Sequence, residues 1–291
     1  MLRLVLPKGS LEAATLKLFA DADLAVHRSS EVDYSAVIDD PRVSEVRILR
    51  PQEIPIYVAE GLFDIGITGR DWVEETAAHV ISLGELHYSK ATSLPIRIVL
   101  AVAADSPVQK VSDLQPGCRV ATEYPRLTQR FLSERGISAD VRFSYGATEA
   151  KVPDIADAVV EITETGRAIR AAGLRIVDTL LVSYTELVAN KRSFADPERA
   201  RAMGQLLVLL EGVLEARGKV LVKLNVSSSD LDGVIGVLPA MKSPTVSKLF
   251  GDAAYAVESV VAKSDINTLI PALKELGATD IIELPISKIV H

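Results

Sequence analysis

The amino-acid sequence predicts an α/β fold with two lobes and a smaller unit towards the C-terminal end. Short apolar segments at residues 2–6, 46–50 and 64–68 alternate with helical patterns, which is typical of a parallel sheet with crossing helices. The same alternation starts again at residue 96, so we expect a second lobe and a cleft between the two. From residue 220 the order becomes strand, helix, two strands, helix and strand, which is the order of a ferredoxin-like unit.

In the first lobe, cationic side chains follow the first two predicted strands. Ser10 caps the first predicted helix, and Pro51 at a first helical position opens the second. Lys8 and Arg50 lie just before these helix starts. Because open α/β sheets bind ligands at the carboxyl ends of their strands, both residues are candidate anion contacts. An exposed ion pair explains either residue equally well when it is taken alone.

The second lobe repeats the order of the first. Strands are predicted at residues 96–103, 119–122 and 141–144, and a helix at 127–135 ends before Gly136. This repetition is the reason for inferring two α/β lobes of similar construction.

A further strand of this lobe leads into the most informative loop of the chain. This strand is the apolar run at 158–160, which ends in Glu161. A loop with hydroxyl groups and a glycine follows at 163–166 and precedes a helical pattern at 167–172. Free N–H groups at such a helix start, with a glycine beside them, form an anion cradle. Glu161 when ionised can only accept hydrogen bonds, which suits the hydroxyls of a sugar. The loop therefore predicts a ribose 5-phosphate site, although a capped helix start that binds nothing explains the loop alone equally well.

Residues 194–217 have the charged and apolar pattern of one long helix, which we interpret as a bridge. The elements predicted after it are a strand at 220–226, a helix at 230–238, strands at 245–250 and 255–262, a helix at 265–276 and a strand at 280–284. The predicted division is a first lobe with the bridging helix at 1–92 and 180–217, a second lobe with the phosphate loop at 93–179, and the ferredoxin-like unit at 218–291.

Composition narrows the class of protein. The chain has 291 residues, a net charge of −7 and a pI of about 5.3, so nucleic acid is not an expected partner. Cys118 is the only cysteine, which fits a reducing compartment. The N-terminal apolar run is too short for a signal peptide and no run spans a membrane, so we expect a cytoplasmic protein. The four histidines are scattered, so a protein-built zinc site is not expected.

The stretch at residues 149–166 resembles the signature of the ATP phosphoribosyltransferases, the first enzymes of histidine biosynthesis. Further matching motifs occur in the right order along nearly the whole chain: LPKG at 6–9, RP at 50–51, IPIYV at 54–58, DIGITG at 64–69, TEYP at 122–125, LP at 238–239 and SPT at 243–245. The C-terminal unit makes the chain similar to the long form, which carries its own regulatory domain.

The resemblance implies a catalytic core similar to type II periplasmic binding proteins, followed by a ferredoxin-like, ACT-like regulatory domain. The implied reaction is attack by N1 of the adenine of ATP on C1 of phosphoribosyl pyrophosphate (PRPP), with release of pyrophosphate. Mg²⁺ is expected to arrive on the phosphates of both substrates rather than in a site built by the protein alone. L-histidine is the implied feedback inhibitor. A homo-oligomer, dimer and hexamer, is implied without a separate regulatory subunit.

The resemblance also implies roles for individual residues. The 5-phosphate would be held by backbone N–H groups and the Thr165 hydroxyl, in a loop made of Thr163, Glu164, Thr165, Gly166, Arg167 and Ala168. Glu161 and Asp157 would accept hydrogen bonds from the ribose hydroxyls. The pyrophosphate and ATP side of the cleft would be lined by Lys8, Arg50 and Tyr124, with Lys8 and Glu161 as the catalytic residues.

Two further roles follow from the resemblance. Glu149 would orient either a sugar or the attacking base. The histidine pocket would lie between the small domains of neighbouring subunits, near Asn225 and the turn from Met241 to Thr245.

Two positions depart from the family pattern. Glu161 stands where the family usually has Asp, and remains an acceptor on a side chain one methylene longer. Ala168 stands where the loop usually has Thr, so one hydroxyl is lost from the cradle. A hydrogen bond to a charged group contributes roughly 1.5–3 kcal/mol, so phosphate affinity is expected to be weaker unless Arg167 compensates.

Two alternative interpretations share part of the pattern. A solute-binding protein would have the two lobes and the turn after residue 65, but no use for an acid followed by a phosphate loop. A prephenate dehydratase-like enzyme would also join such a core to a regulatory domain. Its reaction has no use for the loop at 161–166.

Overall fold

The computed structural model describes residues 1–30, 32–89, 94–239, 241, 243–251 and 253–291. The chain forms two compact units, at residues 1–208 and 209–291. Among the helices in the described ranges, none is long and apolar enough to cross a membrane.

The strands, in chain order, are β1 (Leu2–Pro7), β2 (Val26–His27), β3 (Ser35–Ile38), β4 (Val43–Leu49), β5 (Ile65–Gly69), β6 (Ile81–Leu86), β7 (Ile96–Ala103), β8 (Cys118–Thr122), β9 (Ala139–Phe143), β10 (Ala158–Thr163), β11 (Leu174–Ser183), β12 (Thr185–Ala189), β13 (Lys219–Ser227), β14 (Thr245–Lys248), β15 (Ala254–Ala262) and β16 (Thr279–Pro285). The helices are α1 (Glu12–Asp21), α2 (Ile54–Ala59), α3 (Arg70–Thr76), α4 (Pro125–Ser133), α5 (Arg167–Ala171), α6 (Lys191–Ala195), α7 (Pro197–Ala216), α8 (Leu231–Val237) and α9 (Ile266–Glu275).

The first lobe is built on a seven-stranded sheet with the order β2-β3-β4-β1-β5-β12-β6. Strand β1 runs parallel to β4 and β5 at the centre, and β12 runs antiparallel to β5 and β6. Every residue of β5 is buried, as expected for a central strand that is covered on both faces. The short strands β2, β3 and β6 were not predicted, because strands of a few half-exposed residues carry little periodic signal.

The second lobe is built on a five-stranded sheet with the order β11-β7-β10-β8-β9. Strands β8, β9 and β10 are parallel, whereas β7 runs antiparallel to β10 and β11. Strand β11 stays paired with β7 as far as Ser183, and the chain returns to the first sheet only with β12. The predicted lobe boundary at residue 180 therefore falls inside β11.

The C-terminal unit has a four-stranded antiparallel sheet with the order β14-β15-β13-β16. With α8 after β13 and α9 after β15, the element order is strand, helix, two strands, helix and strand, so the ferredoxin-like prediction is confirmed. Alternate residues of β13 are buried, and this apolar face packs in one core with residues of α8 and α9.

The long helix predicted at 194–217 is confirmed as α7 at Pro197–Ala216, but its predicted first residues belong to a separate short helix, α6. Asp196 lies between them with extended backbone angles, since the residue before Pro197 is disfavoured in the helical region. The division between the two compact units, after residue 208, lies within α7 rather than at the predicted residue 218.

A buried carboxylate ties the start of the chain to these helices. Asp64 is only 1% exposed and accepts hydrogen bonds from the backbone of Arg3 (2.8 Å), the hydroxyl of Ser193 (2.6 Å) and the guanidinium of Arg199 (2.9 Å). Burial alone would raise the pKa of Asp64, but the hydrogen bonds from Arg3 and Ser193 lower it, and the net shift is downward. Asp64 therefore joins β1, α6 and α7 to the end of the segment that leads into β5.

We expect Asp64→Asn to lower the free energy of unfolding by about 2–4 kcal/mol, less than for a fully buried pair because both arginines are partly exposed. Since the folded-state pKa of Asp64 is depressed, its contribution is present above the unfolded pKa of about 3.9 and is lost as pH falls through the folded value. Denaturant titrations from pH 7 downwards should show a steeper acid loss in the wild type than in the variant. Asp140→Asn removes an exposed pair with Arg142 and should cost under about 0.5 kcal/mol. Equal losses of stability in the two variants would contradict the stabilising role of Asp64.

Candidate functional site

The loop at the end of β10 has the strand, loop and helix order expected from the sequence. Gly166 stands before α5 with φ 73° and ψ 3°, a left-handed conformation that glycine adopts without a Cβ penalty. The buried Thr163 hydroxyl accepts a hydrogen bond from the Gly166 amide at 2.8 Å. The Thr165 hydroxyl accepts a longer hydrogen bond from the Arg167 amide, at 3.4 Å. The conformation of the loop is therefore stabilised by its own side chains.

The donors left over in this loop are fewer than predicted. The Gly166 amide is already bound to Thr163, so it does not point at a ligand. Among the described residues, none accepts a hydrogen bond from the amides of Thr165 or Ala168, and both residues are exposed. These two amides and the Thr165 hydroxyl are the groups of the cradle that remain available for an anion.

Glu161 lies on β10 before the loop and is partly buried. Burial raises the pKa of its carboxyl, and the nearby carboxylates of Glu123 and Glu149 act in the same direction. The Thr148 hydroxyl and the Ile162 amide, which donates at 3.0 Å, lower the pKa but do not cancel the rise. Glu149, which was predicted, and Glu123 are thus near enough to Glu161 to affect its pKa. The only sequence signal for Glu123 was its place in the TEYP motif.

Lys8 and Arg50 are neighbours, as the ends of two adjacent parallel strands must be. Strands β1 and β4 pair in register as far as Pro7 and Leu49, and the Lys8 amide donates to the Leu49 carbonyl at 2.7 Å. The Lys8 ammonium lies 3.9 Å from the ring centroid of Tyr34, a contact with no sequence signal. A Cβ on Gly9 would lie 3.8 Å from the Arg50 guanidinium. Two cations thus stand at one edge of the first sheet.

The prediction for Asp157 is wrong. It stands before β10, at the opposite end from the loop, and a six-residue step at ~3.3 Å per residue separates it from Thr163 by about 20 Å. Its carboxylate accepts hydrogen bonds from the Arg119 side chain and backbone, both at 2.7 Å. Asp157 therefore ties β10 to β8 and does not reach a sugar held in the loop.

Tyr124 is not on the open side of the cleft, which corrects its predicted role. Its side chain is 2% exposed, stacks on Trp72 at 4.6 Å between ring centroids, and donates to Asp71 at 2.8 Å. Asp71 also accepts from the hydroxyl of Ser183 at 2.7 Å. Burial raises the pKa of Asp71 and of Tyr124. These residues join the two lobes. The role of Asp71 was not predicted from the sequence, although the residue follows the glycine at the end of β5.

A cavity of about 310 Å³ lies between the lobes next to this contact. Its lining combines aromatic, apolar and polar side chains from both lobes: Ser10, Leu11, Pro51, Gly69, Asp71, Trp72, Tyr88, Ser89, Leu94, Ile96, Ile162, Thr163, Glu164, Ser183, Tyr184 and Thr185. Ser10 and Pro51 adjoin the Lys8 and Arg50 loops, while Thr163 and Glu164 belong to the phosphate loop. The cavity is large enough for part of a small ligand. Residues that adjoin both predicted halves of the site contribute to its lining.

The C-terminal unit has a separate cavity of about 260 Å³. It is lined by Leu221, Met241, Ser243, Thr245, Glu258, Ser259 and Val260. Met241 and Thr245 were predicted here, and Lys242 between them lies outside the described residues. Asn225 does not line this cavity, because its amide donates to Asp280 at 2.9 Å. Glu258, which sequence reasoning missed, brings a carboxylate that pairs with Lys223 at 2.7 Å.

The described part of the chain holds no cluster of three or more His, Cys, Asp or Glu side chains arranged to bind a metal ion. Fold and site together define the class of protein. Two α/β lobes enclose a cavity that is lined by residues of the loop after β10 and by residues next to Lys8 and Arg50. Such an arrangement is typical of an enzyme that binds a phosphorylated substrate.

Comparison with known proteins identifies the family. The family model described as ATP phosphoribosyltransferase matches residues 50–212, and the model described as HisG, C-terminal domain matches residues 216–288. The ATP phosphoribosyltransferase of Pelotomaculum thermopropionicum is 48% identical over 99% of both chains. That of Solibacter usitatus is 45% identical, over 100% of this chain and 99% of its own.

A solved structure agrees with these matches. The ATP phosphoribosyl transferase (HisG:HisZ) complex from Thermotoga maritima has a chain that is 27% identical, with a TM-score of 0.62, over 74% of this chain and 99% of its own. This chain belongs to the ATP phosphoribosyltransferase family, in its long form. It is an enzyme of the first step of histidine biosynthesis with ATP and PRPP as substrates, so the two alternative interpretations are set aside.

We expect Gly166→Ala to abolish detectable PRPP binding while the fold survives. A Cβ at this position would lie 2.8 Å from the Arg170 guanidinium, which is flexible, so the damage comes mainly from the left-handed φ. Relaxation of that φ would turn the Thr165 and Ala168 amides away from the phosphate. Gly173→Ala is the matched control, since Gly173 has the same φ of 73° after α5 and open space around it. Both variants should lose about 1 kcal/mol of stability, and calorimetric PRPP titration should separate them. Equal PRPP affinity in both would contradict the cradle.

Proposed function

We propose that this enzyme transfers the phosphoribosyl group of PRPP to N1 of the adenine of ATP, in the cavity between its lobes. The observation that carries the proposal is a single cavity lined both by Thr163 and Glu164, in the loop after Glu161, and by Ser10 and Pro51, which lie next to Lys8 and Arg50 in the chain. PRPP carries a phosphate at C5 and a pyrophosphate at C1 of its ribose, so it needs two anion sites with an acceptor between them. Family membership supports the same pair of substrates.

The 5-phosphate is bound by the amides of Thr165 and Ala168 and by the Thr165 hydroxyl. Glu161, with Glu149 beside it, accepts hydrogen bonds from the ribose hydroxyls. Lys8 and Arg50 neutralise the pyrophosphate as it departs. Glu164 and Arg167 are the other loop side chains at the edge of this site.

The reaction needs charge placement more than a nucleophilic side chain. N1 of adenine supplies an electron pair to C1, the C1–oxygen bond breaks, and pyrophosphate leaves with that bond pair. Positive charge develops on the ribose as the bond breaks, and it is stabilised by the carboxylates of Glu123, Glu149 and Glu161. The cations on the opposite side stabilise the leaving group, so the two ends of the breaking bond face charges of opposite sign.

The adenine is accommodated by the apolar part of the cavity. Trp72, Tyr88 and Ile96 offer flat and apolar surface beside the phosphate loop, which suits a purine ring. The family generally uses a divalent metal, and Mg²⁺ suits this role because it keeps much of its hydration and binds phosphate oxygens. The Mg²⁺ is carried on the PRPP and ATP phosphates, and the protein's part is to position those phosphates.

We expect turnover of ATP and PRPP with Mg²⁺ and pyrophosphatase, seen as the ultraviolet change of N1-substituted adenine. Because Glu161 acts as an ionised acceptor and burial raises its pKa, kcat/KM for PRPP should fall on acidification at a pH above the ordinary glutamate pKa of about 4.3. Glu161→Gln should lower kcat/KM at least about tenfold. It should also remove most of the acid limb of the pH profile, which is the fall of kcat/KM on acidification. Asp157→Asn, on the same strand, should keep both. No product from folded wild-type protein would exclude the function, and an unchanged acid limb in Glu161→Gln would exclude the role of Glu161.

The C-terminal cavity is the proposed site of feedback inhibition by L-histidine. Glu258 offers a carboxylate for the ligand's ammonium group, and Ser243 and Thr245 offer hydroxyls for its carboxylate. Such a built-in module would let this chain assemble as a homo-oligomer, dimer and hexamer, without a separate regulatory subunit. The Thermotoga maritima structure, in contrast, is a complex of HisG with HisZ.

We expect Glu258→Gln to raise the histidine concentration for half-inhibition by about five- to tenfold, because one partly exposed charge pair with the ligand is lost. The rate without histidine should be unchanged. Glu283→Gln is the control, since Glu283 pairs loosely with Lys263 at 3.9 Å and does not line the cavity. Inhibition that is the same in wild type and Glu258→Gln would place the histidine site elsewhere.

A further inference from the structure

Helix α4 of the second lobe is capped by a carboxylate from the first lobe. Glu75, on α3, accepts hydrogen bonds from the amides of Arg126 at 3.0 Å and Leu127 at 2.8 Å. These are the second and third residues of α4. The first residue is Pro125, which has no N–H to donate. Each carboxylate oxygen of Glu75 thus satisfies one of the orphan donors at the start of this helix.

The helix has no cap of its own. Tyr124 is its N-cap residue and makes no side-chain capping hydrogen bond, since its hydroxyl lies at the far end of the ring and donates to Asp71. A helix start usually finds its acceptor in the residue just before it, which costs no ordering of distant chain. Here the acceptor lies 51 and 52 residues away in the sequence, on a helix of the other lobe. The capping contact therefore serves to join the lobes as well as to complete the helix.

Apart from the buried hydrogen bond between Asp71 and the N-cap residue Tyr124, the other polar contacts between α3 and α4 are weaker. Arg130 pairs with Glu74 at 2.8 Å, and the Arg126 guanidinium reaches the Thr76 carbonyl at 3.3 Å. Both arginines are exposed, and exposed pairs of this kind contribute little. Glu75 is partly buried and its two bonds are charge-assisted, so they are the stronger polar connection between these helices.

The clamped helices stand next to the two halves of the proposed site. Helix α3 begins directly after β5, which is the neighbour of β1 and its Lys8 loop. Helix α4 follows β8, which is the neighbour of β10 with Glu161 and the phosphate loop. A change in how α4 sits on α3 would therefore alter the spacing between the phosphate cradle and the two cations.

We propose that Glu75 is a positioning residue, which holds the phosphate cradle and the Lys8–Arg50 edge at the spacing that PRPP spans. This inference rests on the proposed site. The contact also occupies the first amides of α4, so that this helix start is used for lobe alignment and is not an anion site for a substrate phosphate. Glu75 does not touch substrate in this arrangement and acts through α4.

The test compares ligands that need one lobe or both. Ribose 5-phosphate is held by the cradle alone, whereas PRPP needs both lobes. Glu75→Ala should leave ribose 5-phosphate affinity within about twofold of wild type, but weaken PRPP binding and raise KM for PRPP by about tenfold or more. Amide hydrogen exchange at Arg126 and Leu127 should accelerate. Glu75→Gln keeps one acceptor oxygen and should give an intermediate loss of PRPP affinity. This variant provides the test if Glu75→Ala folds poorly.

Asp113→Ala is the matched control. Asp113 accepts from the amides of Gln109 and Lys110 at 3.0 and 3.1 Å, so it caps a turn inside the second lobe alone. Asp113→Ala should lower the thermal stability by a similar amount. It should leave the affinities for PRPP and for ribose 5-phosphate unchanged relative to each other. PRPP affinity in the Glu75 variants equal to that of wild type, or equal losses for PRPP and ribose 5-phosphate, would overturn the inference. Absence of ribose 5-phosphate binding by the wild type would instead overturn the proposed cradle, and the inference with it.

Discussion

The contact between the lobes around Asp71 is the constraint on which the site depends. A carboxylate that is 1% exposed must have its hydrogen bonds satisfied, and here the donors are Ser183, at the end of β11, and Tyr124 of the second lobe. Removal of either donor would leave one oxygen of this buried carboxyl group without its hydrogen bond, which stabilises both donors in place. Trp72 adds apolar stacking on Tyr124 at the same point. The cavity lies beside this contact and takes its shape from the alignment that the contact imposes.

The charges of the site are divided between the lobes by sign. The second lobe contributes acceptors, since Glu161 lies near Glu123 and Glu149, together with the amides of a short loop. The first lobe contributes cations at the ends of β1 and β4. A substrate with a phosphate on one side of a ribose and a pyrophosphate on the other is complementary to this division. In the site that we propose, neither lobe alone has both halves, so lobe alignment and chemistry would be coupled.

Predictions from the sequence were most successful where the structure is local. The order of β10, loop and α5 depends on an apolar run, a glycine and a helical pattern within twenty residues, and all three are in the sequence. The pairing of Lys8 with Arg50 was also accessible, because parallel strands end at the same edge of a sheet. The short strands β2, β3 and β6 were missed, and the break between α6 and α7 at Asp196 was missed despite the proline that follows it.

The sequence by itself determined the fold class, the family and the chemical character of the site, because these depend on periodicity, turn residues and motifs that are read along the chain. Only the tertiary structure decided which side chains are occupied. Asp157 binds Arg119, Tyr124 binds Asp71, and Asn225 binds Asp280, so each has a partner 38 to 55 residues away that the sequence did not predict. The use of Glu75 as the cap of α4 was decided in the same way. A hydrogen bond depends on distance in space, and the partners of these residues are set by how sheets and helices pack, which no local pattern records.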